Sequence, residues 1–224
     1  MKKFSTLVAI TLTLSLFLVS CNKTAEQKPN TTNTEEIKVP KKPAPVVVLN
    51  ANLATESDLV ALGLSQEIVQ QLLAARPFLS MTDFNSIIEV ENTEELFKKI
   101  FVPFNLNTTE EKDFKMIPGV GDKMAHEFEE YRPYISISQF KREIGKYVDE
   151  EEVARYLDYV FVPVELNTSS EDDIKVLPGI GKKMTHEFLE YRPYKNLAQF
   201  RKEIGKYVDD KELNRLERFV YIKE

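Results

Sequence analysis

Leu177-Pro178-Gly179-Ile180-Gly181-Lys182-Lys183 decides how the rest of the chain is read. A Gly-x-Gly between two apolar helical patterns marks a tight turn, because glycine accepts positive φ without a Cβ clash. Pro178 disfavours helix in the residue before it. Gly181 then opens a new helix with Met184, Phe188 and Tyr191 at helical spacing. The first amides of such a helix have no internal acceptor and sit at its positive end. A glycine-lined turn of this kind lets a phosphate-sized anion come close to the backbone. Nothing nucleophilic and no acid–base pair stands beside it, so the stretch points to binding.

The stretch has a copy, Ile117-Pro118-Gly119-Val120-Gly121-Asp122-Lys123, and Gly119 and Gly179 are 60 residues apart. The match continues through His126-Glu127-Phe128 and His186-Glu187-Phe188, Tyr131-Arg132-Pro133-Tyr134 and Tyr191-Arg192-Pro193-Tyr194, then Glu143 to Asp149 and Glu203 to Asp209. A fixed period of this length marks an array, with units at 46–103, 104–163 and 164–224. Each reads as four short helices, so the expected class is all-α. The first helix starts after Asn52, Asn107 and Asn167, and Thr55 with Asp58 and Ser170 with Asp173 are capping pairs. Pro133 and Pro193 stop the second helix. Ile137, Phe140 and Ile144 line the third, as do Leu197, Phe200 and Ile204, until Gly145 and Gly205 break the pattern. Asp149 and Asp209 cap a fourth, with Val153, Tyr156, Val160 and Leu213, Leu216, Val220 facing inward. The aromatic stripe is core. In the first unit Arg76-Pro77-Phe78 and Met81, Phe84, Ile88 keep the frame, but the turn reads Leu62-Gly63-Leu64-Ser65-Gln66-Glu67. The proline and both lysines are gone, which suits a structural cap of the array.

Asn167-Thr168, the acidic helix start after it, Leu177-Pro178-Gly179-Ile180-Gly181 and Tyr191-Arg192 resemble the helix-hairpin-helix repeats of the ComEA-type competence DNA-receptor family. The resemblance spans roughly residues 46–224. It implies duplex DNA binding without sequence preference, with hairpin amides on a phosphate, and a place in DNA uptake. The phosphate-binding positions it implies are Gly179, Ile180, Gly181, Lys182 and Lys183, with Gly119, Val120, Gly121 and Lys123 contributing less.

The N-terminus has a separate logic. Lys2 and Lys3 precede an apolar run from Leu7 to Val19 that ends Leu18-Val19-Ser20-Cys21. This is a secretory signal over 1–20 rather than a membrane span. Leu-x-Ser-Cys resembles the bacterial lipoprotein cleavage box, and Cys21 is the only cysteine. A lipidated Cys21 anchors an exported protein to a bacterial membrane. Residues 22–45, rich in Asn, Thr, Lys, Glu and Pro, form with Cys21 the flexible linker 21–45.

Charge bears on the partner. The formal net charge is −6, without the basic balance usual in nucleic-acid binders. The first unit holds 3 basic and 8 acidic residues, the second 8 and 13, the third 12 and 12. Only the third turn carries two lysines, with Lys175 just before it; the second pairs Lys123 with Asp122. Contact with a few phosphates is the expectation. His126 and His186 stand in His-Glu-Phe, which lacks the zinc-protease spacing; no metal, cofactor or catalytic residue is expected. Arg76, Arg132 and Arg192 suit bonds to carbonyls near a helix C-terminus. The competing reading is a structural or protein–protein interaction module of the cell envelope that has lost DNA binding.

Overall fold

The computed structural model describes residues 47–88 and 93–223. The signal segment, Cys21 and the linker lie outside the described residues. The chain is mostly helical. In the first segment β1 (Leu49–Asn50) leads to α1 (Glu56–Ala61), α2 (Gln66–Ala75), α3 (Met81–Asn85), α4 (Thr93–Phe97) and β2 (Ile100–Phe101). The second runs β3 (Phe104–Asn105), α5 (Glu111–Phe114), α6 (Asp122–Glu130), α7 (Ile137–Ile144), α8 (Glu150–Tyr156), β4 (Val160–Phe161). The third runs β5 (Val164–Glu165), α9 (Glu171–Lys175), α10 (Lys182–Glu190), α11 (Leu197–Ile204), α12 (Asp210–Glu217), β6 (Val220–Tyr221).

Small two-residue strands accompany the helices and are compatible with the expected all-α class. β1 pairs with β2, β3 with β4 and β5 with β6, all parallel, so each segment's ends lie side by side. Parallel neighbours need a long crossover, and the four helices supply it. Val160 and Val220, expected on the fourth helix, sit in β4 and β6, where their registers are Phe104↔Val160 and Val164↔Val220. They are buried either way.

Local chemistry accounts for most helix ends. Thr55, Ser80 and Ser170 form capping boxes with Asp58, Asp83 and Asp173. Asp149 and Asp209 accept from the Glu152 and Glu212 amides at the starts of α8 and α12. Gly145 and Gly205 close α7 and α11. One apolar cluster runs through the first two segments and a second fills the third. Phe101 joins the first two, with its ring edge-to-face at 5.0 Å from both Phe104 and Tyr159. Such pairs contribute roughly 0.5–1.5 kcal/mol beyond area burial.

A side-chain clamp fixes each segment's entry against its middle. Asn107 Nδ2 donates to Tyr134 O at 2.9 Å, and Tyr134 N donates to Asn107 Oδ1 at 2.7 Å. Asn52 holds Phe78 in the same way, and Asn167 holds Tyr194. The residue held follows Pro77, Pro133 or Pro193, each after a cis bond. The preceding arginines do bind carbonyls, though not those of their own helix. Arg76 reaches Ala54 O, Arg192 reaches Ser169 O, and Arg132 reaches Leu106 O and Thr109 O. They brace the loop ahead of the first helix.

Candidate phosphate-binding turns

Each turn is built on one left-handed glycine. Gly63, Gly119 and Gly179 have φ of +85, +82 and +74°, a region that costs a residue with a Cβ. The middle residues of the second and third turns, Val120 and Ile180, are buried and donate back to Ile117 O and Leu177 O at 3.0 and 3.1 Å. The apolar residue pins the turn while its neighbours stay outside.

The turns differ at the helix start that follows. Gly121 and Gly181 are the N-caps of α6 and α10, and neither helix has a side-chain cap. The first helical bonds run from Ala125 N to Gly121 O and from Thr185 N to Gly181 O, both 3.0 Å. The amides before them are left to solvent or an external acceptor. In the first turn Ser65 is the N-cap, and its hydroxyl accepts from Ile68 N at 3.3 Å. That segment answers its own helix start.

Lys123, Lys182 and Lys183 are exposed, beside the uncapped ends. Lys123 Nζ lies 5.6 Å from the Tyr147 ring centre and Lys183 Nζ 5.6 Å from that of Tyr207. Asp122 is tied to Lys115 at 2.9 Å; the pair holds the carboxyl below and the ammonium above their ordinary pKa values. Lys175 is drawn off to Glu171 at 2.6 Å rather than held at the turn. His126 lies 3.4 Å from a Glu111 carboxylate oxygen and His186 3.4 Å from one of Glu190.

Two arginines and one leucine had no place in the sequence reading. A methyl group on Gly119 would lie 3.5 Å from Arg155 Nη2, and one on Gly179 would lie 3.1 Å from Arg215 Nη2. Each arginine grips a glutamate on its own helix, Arg155 with Glu152 and Arg215 with Glu212. Arg215 also donates to Pro178 O at 2.7 Å. They occupy one register, where the first segment has Glu95; alignment at the 60-residue period was the signal that could have found them. The same hypothetical methyl on Gly179 would lie 2.9 and 3.0 Å from the two δ-carbons of Leu53. No periodicity foretells that contact.

Behind α6 and α10 sit two buried glutamates. Glu127 and Glu187 each have one carboxylate oxygen without a partner among the described residues. The hydroxyls of Tyr131 and Tyr147 meet at 2.8 Å, and those of Tyr191 and Tyr207 at 2.7 Å. Hydrogen bonding to the partner tyrosine, then to the glutamate, pushes the Tyr147 and Tyr207 hydroxyls well above the ordinary tyrosine range. The aromatic stripe expected to be core is core, with Tyr131 and Tyr191 partly buried against it; Tyr147 and Tyr207 lie outside that stripe. Phe128, Phe140, Phe188 and Phe200 are buried, whereas Tyr147 and Tyr207 reach solvent with a lysine on their faces.

The chemistry the turns offer suits an oxyanion: two helix starts without a side-chain cap, one lysine beside the first and two beside the second. Among the described residues no group of three or more His, Cys, Asp or Glu gathers as a metal site. No protein-family model matches the chain, and no match was found among curated proteins or solved structures.

Proposed function

We propose that this chain is an exported, lipid-anchored protein of three tandem helix-hairpin-helix repeats that binds duplex DNA without sequence preference. Residues 1–20 are the signal, Cys21 the lipidation site, and 21–45 the tether. Gly179, Ile180, Gly181, Lys182 and Lys183 form one phosphate contact; Gly119, Val120, Gly121 and Lys123 form the other. The backbone amides take the phosphate oxygens and the lysines supply charge. A role in DNA uptake fits a protein held outside the cytoplasm. The observation that carries the reading is the contrast at the helix starts: glycine caps beside exposed lysines in the second and third turns, a serine cap and no lysine in the first.

The test is fluorescence anisotropy with labelled duplexes of unrelated sequence over a range of salt. With about three phosphates neutralised, log K should fall against log salt with a slope of about −3. Lys182→Glu with Lys183→Glu should weaken binding at least tenfold, and Lys123→Glu should weaken it less. Absence of binding at low salt would overturn the reading. A second reading, a structural or protein-interaction module of the cell envelope, draws on the acidic balance of the chain and on Asp122 at the second turn.

A further inference from the structure

Where the three segments meet, a cavity of about 350 Å³ is lined by all of them: Leu79 from the first, Phe104, Thr108, Thr109 and Asp113 from the second, Arg218 from the third. Two charges on its walls are left unpaired. Arg218 rests on the Phe161 ring, 5.7 Å from its centre. Of its five N–H donors, Nη1 gives one to Phe78 O at 3.4 Å and Nη2 one to Pro103 O at 3.2 Å. Among the described residues no carboxylate pairs with it. Desolvation pushes its pKa down to about 10, and Asp83 attracts it only from farther off. The second charge is Asp113. Its counterparts in register, Asp58 and Asp173, are spent on capping boxes with Thr55 and Ser170. In the second segment the partner position holds Glu110, which makes no side-chain cap and is tied to Lys112 at 2.6 Å. Asp113 is thereby released, and among the described residues its carboxylate has no hydrogen bond or ion pair. One cavity thus carries an arginine and an aspartate too far apart to pair with each other.

We infer that this cavity is a binding site for a small zwitterion, a free α-amino acid, with its carboxylate on Arg218 and its ammonium on Asp113. A guanidinium fork matches the two oxygens of a carboxylate. A dianion such as phosphate would fit the same fork but meet Asp113 and Glu110 on the wall, and a plain amine would meet Arg218. A molecule with both charges answers both residues. Leu79, half-exposed although apolar, and Phe104 offer an aliphatic side chain a surface, and the Thr108 and Thr109 hydroxyls can donate or accept beside the charged end. The volume lies at the small end of the range of ligand pockets, roughly 300–1,000 Å³, which suits one amino acid rather than a peptide. The lining includes none of the turn residues, so the inference does not rest on the DNA-binding reading.

Isothermal titration of the full chain in detergent tests it with three probes: L-leucine, 4-methylpentanoate, which lacks the amine, and 3-methylbutylamine, which lacks the carboxylate. Wild type should bind L-leucine about tenfold or more tightly than either, since each charged contact is worth about that factor. Asp113→Asn should weaken L-leucine about tenfold and leave 4-methylpentanoate no weaker than before. Arg218→Gln should abolish binding of L-leucine. Arg218 also holds Phe78 O and Pro103 O, so that variant may lose its fold; Asp113 caps nothing, and Asp113→Asn then carries the test alone. Absence of L-leucine binding to wild type at roughly 10 mM, equal affinity for L-leucine and 4-methylpentanoate, or L-leucine binding unchanged in Asp113→Asn would each overturn the inference.

Discussion

Replacing Asn107 with alanine tests what holds the second segment shut. The Asn107 amide satisfies both backbone polar groups of Tyr134, at 2.7 and 2.9 Å, and Tyr134 is buried. Alanine leaves an N–H and a C=O without partners. Each unsatisfied buried group costs about 1–3 kcal/mol. Asn107 is only half-buried, so water reaches part of the gap, and the lower half of the sum applies, about 2–4 kcal/mol. For a chain of this size each kcal/mol moves Tm by roughly 2–4 °C, so the variant should melt roughly 4–16 °C lower. Urea unfolding followed by far-UV circular dichroism measures it. Asn107→Asp sharpens the test. The carboxylate still accepts from Tyr134 N but faces the Tyr134 carbonyl with no donor; protonated, it donates again. That variant should therefore recover stability relative to Asn107→Ala as pH falls through the carboxylate range. A cost below about 0.5 kcal/mol for Asn107→Ala, or an aspartate variant that tracks the alanine variant at every pH, would show that the clamp geometry does not hold the segment.

Two further outcomes follow from single contacts. Glu165 is buried; burial alone raises its pKa, but hydrogen bonds from Thr168 Oγ1 and from the Thr168, Lys223 and Asn167 amides outweigh that and hold it below the ordinary 4.5. A depressed carboxylate contributes stability above its unfolded pKa and loses it as pH falls through the folded one. The third segment should therefore weaken as pH drops below about 4.5, and Glu165→Gln should flatten that part of the stability–pH curve. In the first turn, Ser65→Ala should cost about 1 kcal/mol in urea unfolding and Ser65→Gly only a few tenths; no loss for Ser65→Ala would mean the hydroxyl bond to Ile68 N contributes nothing.

How much of this was legible in the sequence depends on the range of the interaction. Capping boxes span four residues, so Thr55 with Asp58 and Ser170 with Asp173 could be read directly. Left-handed Gly119 and Gly179 could be read from their Pro-Gly and Gly-x-Gly neighbours, whereas Gly63 has neither. The helix faces of Phe128, Phe140, Phe188 and Phe200 followed from spacing. The strands could not be seen, because two residues give no alternation to detect, and Val160 and Val220 fit the inward register of a preceding helix equally well. Arg132 and Arg192 were rightly expected to bind carbonyls, but the ones they reach lie 23 residues or more earlier in the chain. A helix-end rule does not extend that far.

The three turns carry one local design into three settings, and the setting decides what each can accept. Gly63, Gly119 and Gly179 share a backbone conformation, so the difference does not lie in the bend. It lies first in the next cap: serine closes the first helix start on itself, while glycine leaves the other two open. That much is a sequence property. It lies next in what the fold sets against the turn. The third turn has the two exposed lysines and sits in the segment of zero net charge, yet Leu53 lies on its glycine and Arg215 is buried. The second turn carries an aspartate tied to Lys115 and sits in an acidic segment, yet its glycine is clear and Arg155 reaches solvent. A count of lysines ranks the third turn first; the packing places a leucine from 126 residues earlier against it. On the proposed reading, charge sets how strongly each turn attracts a phosphate. Leu53 of the first segment packs against the Gly179 side of the third turn, while that turn's glycines and lysines stay exposed.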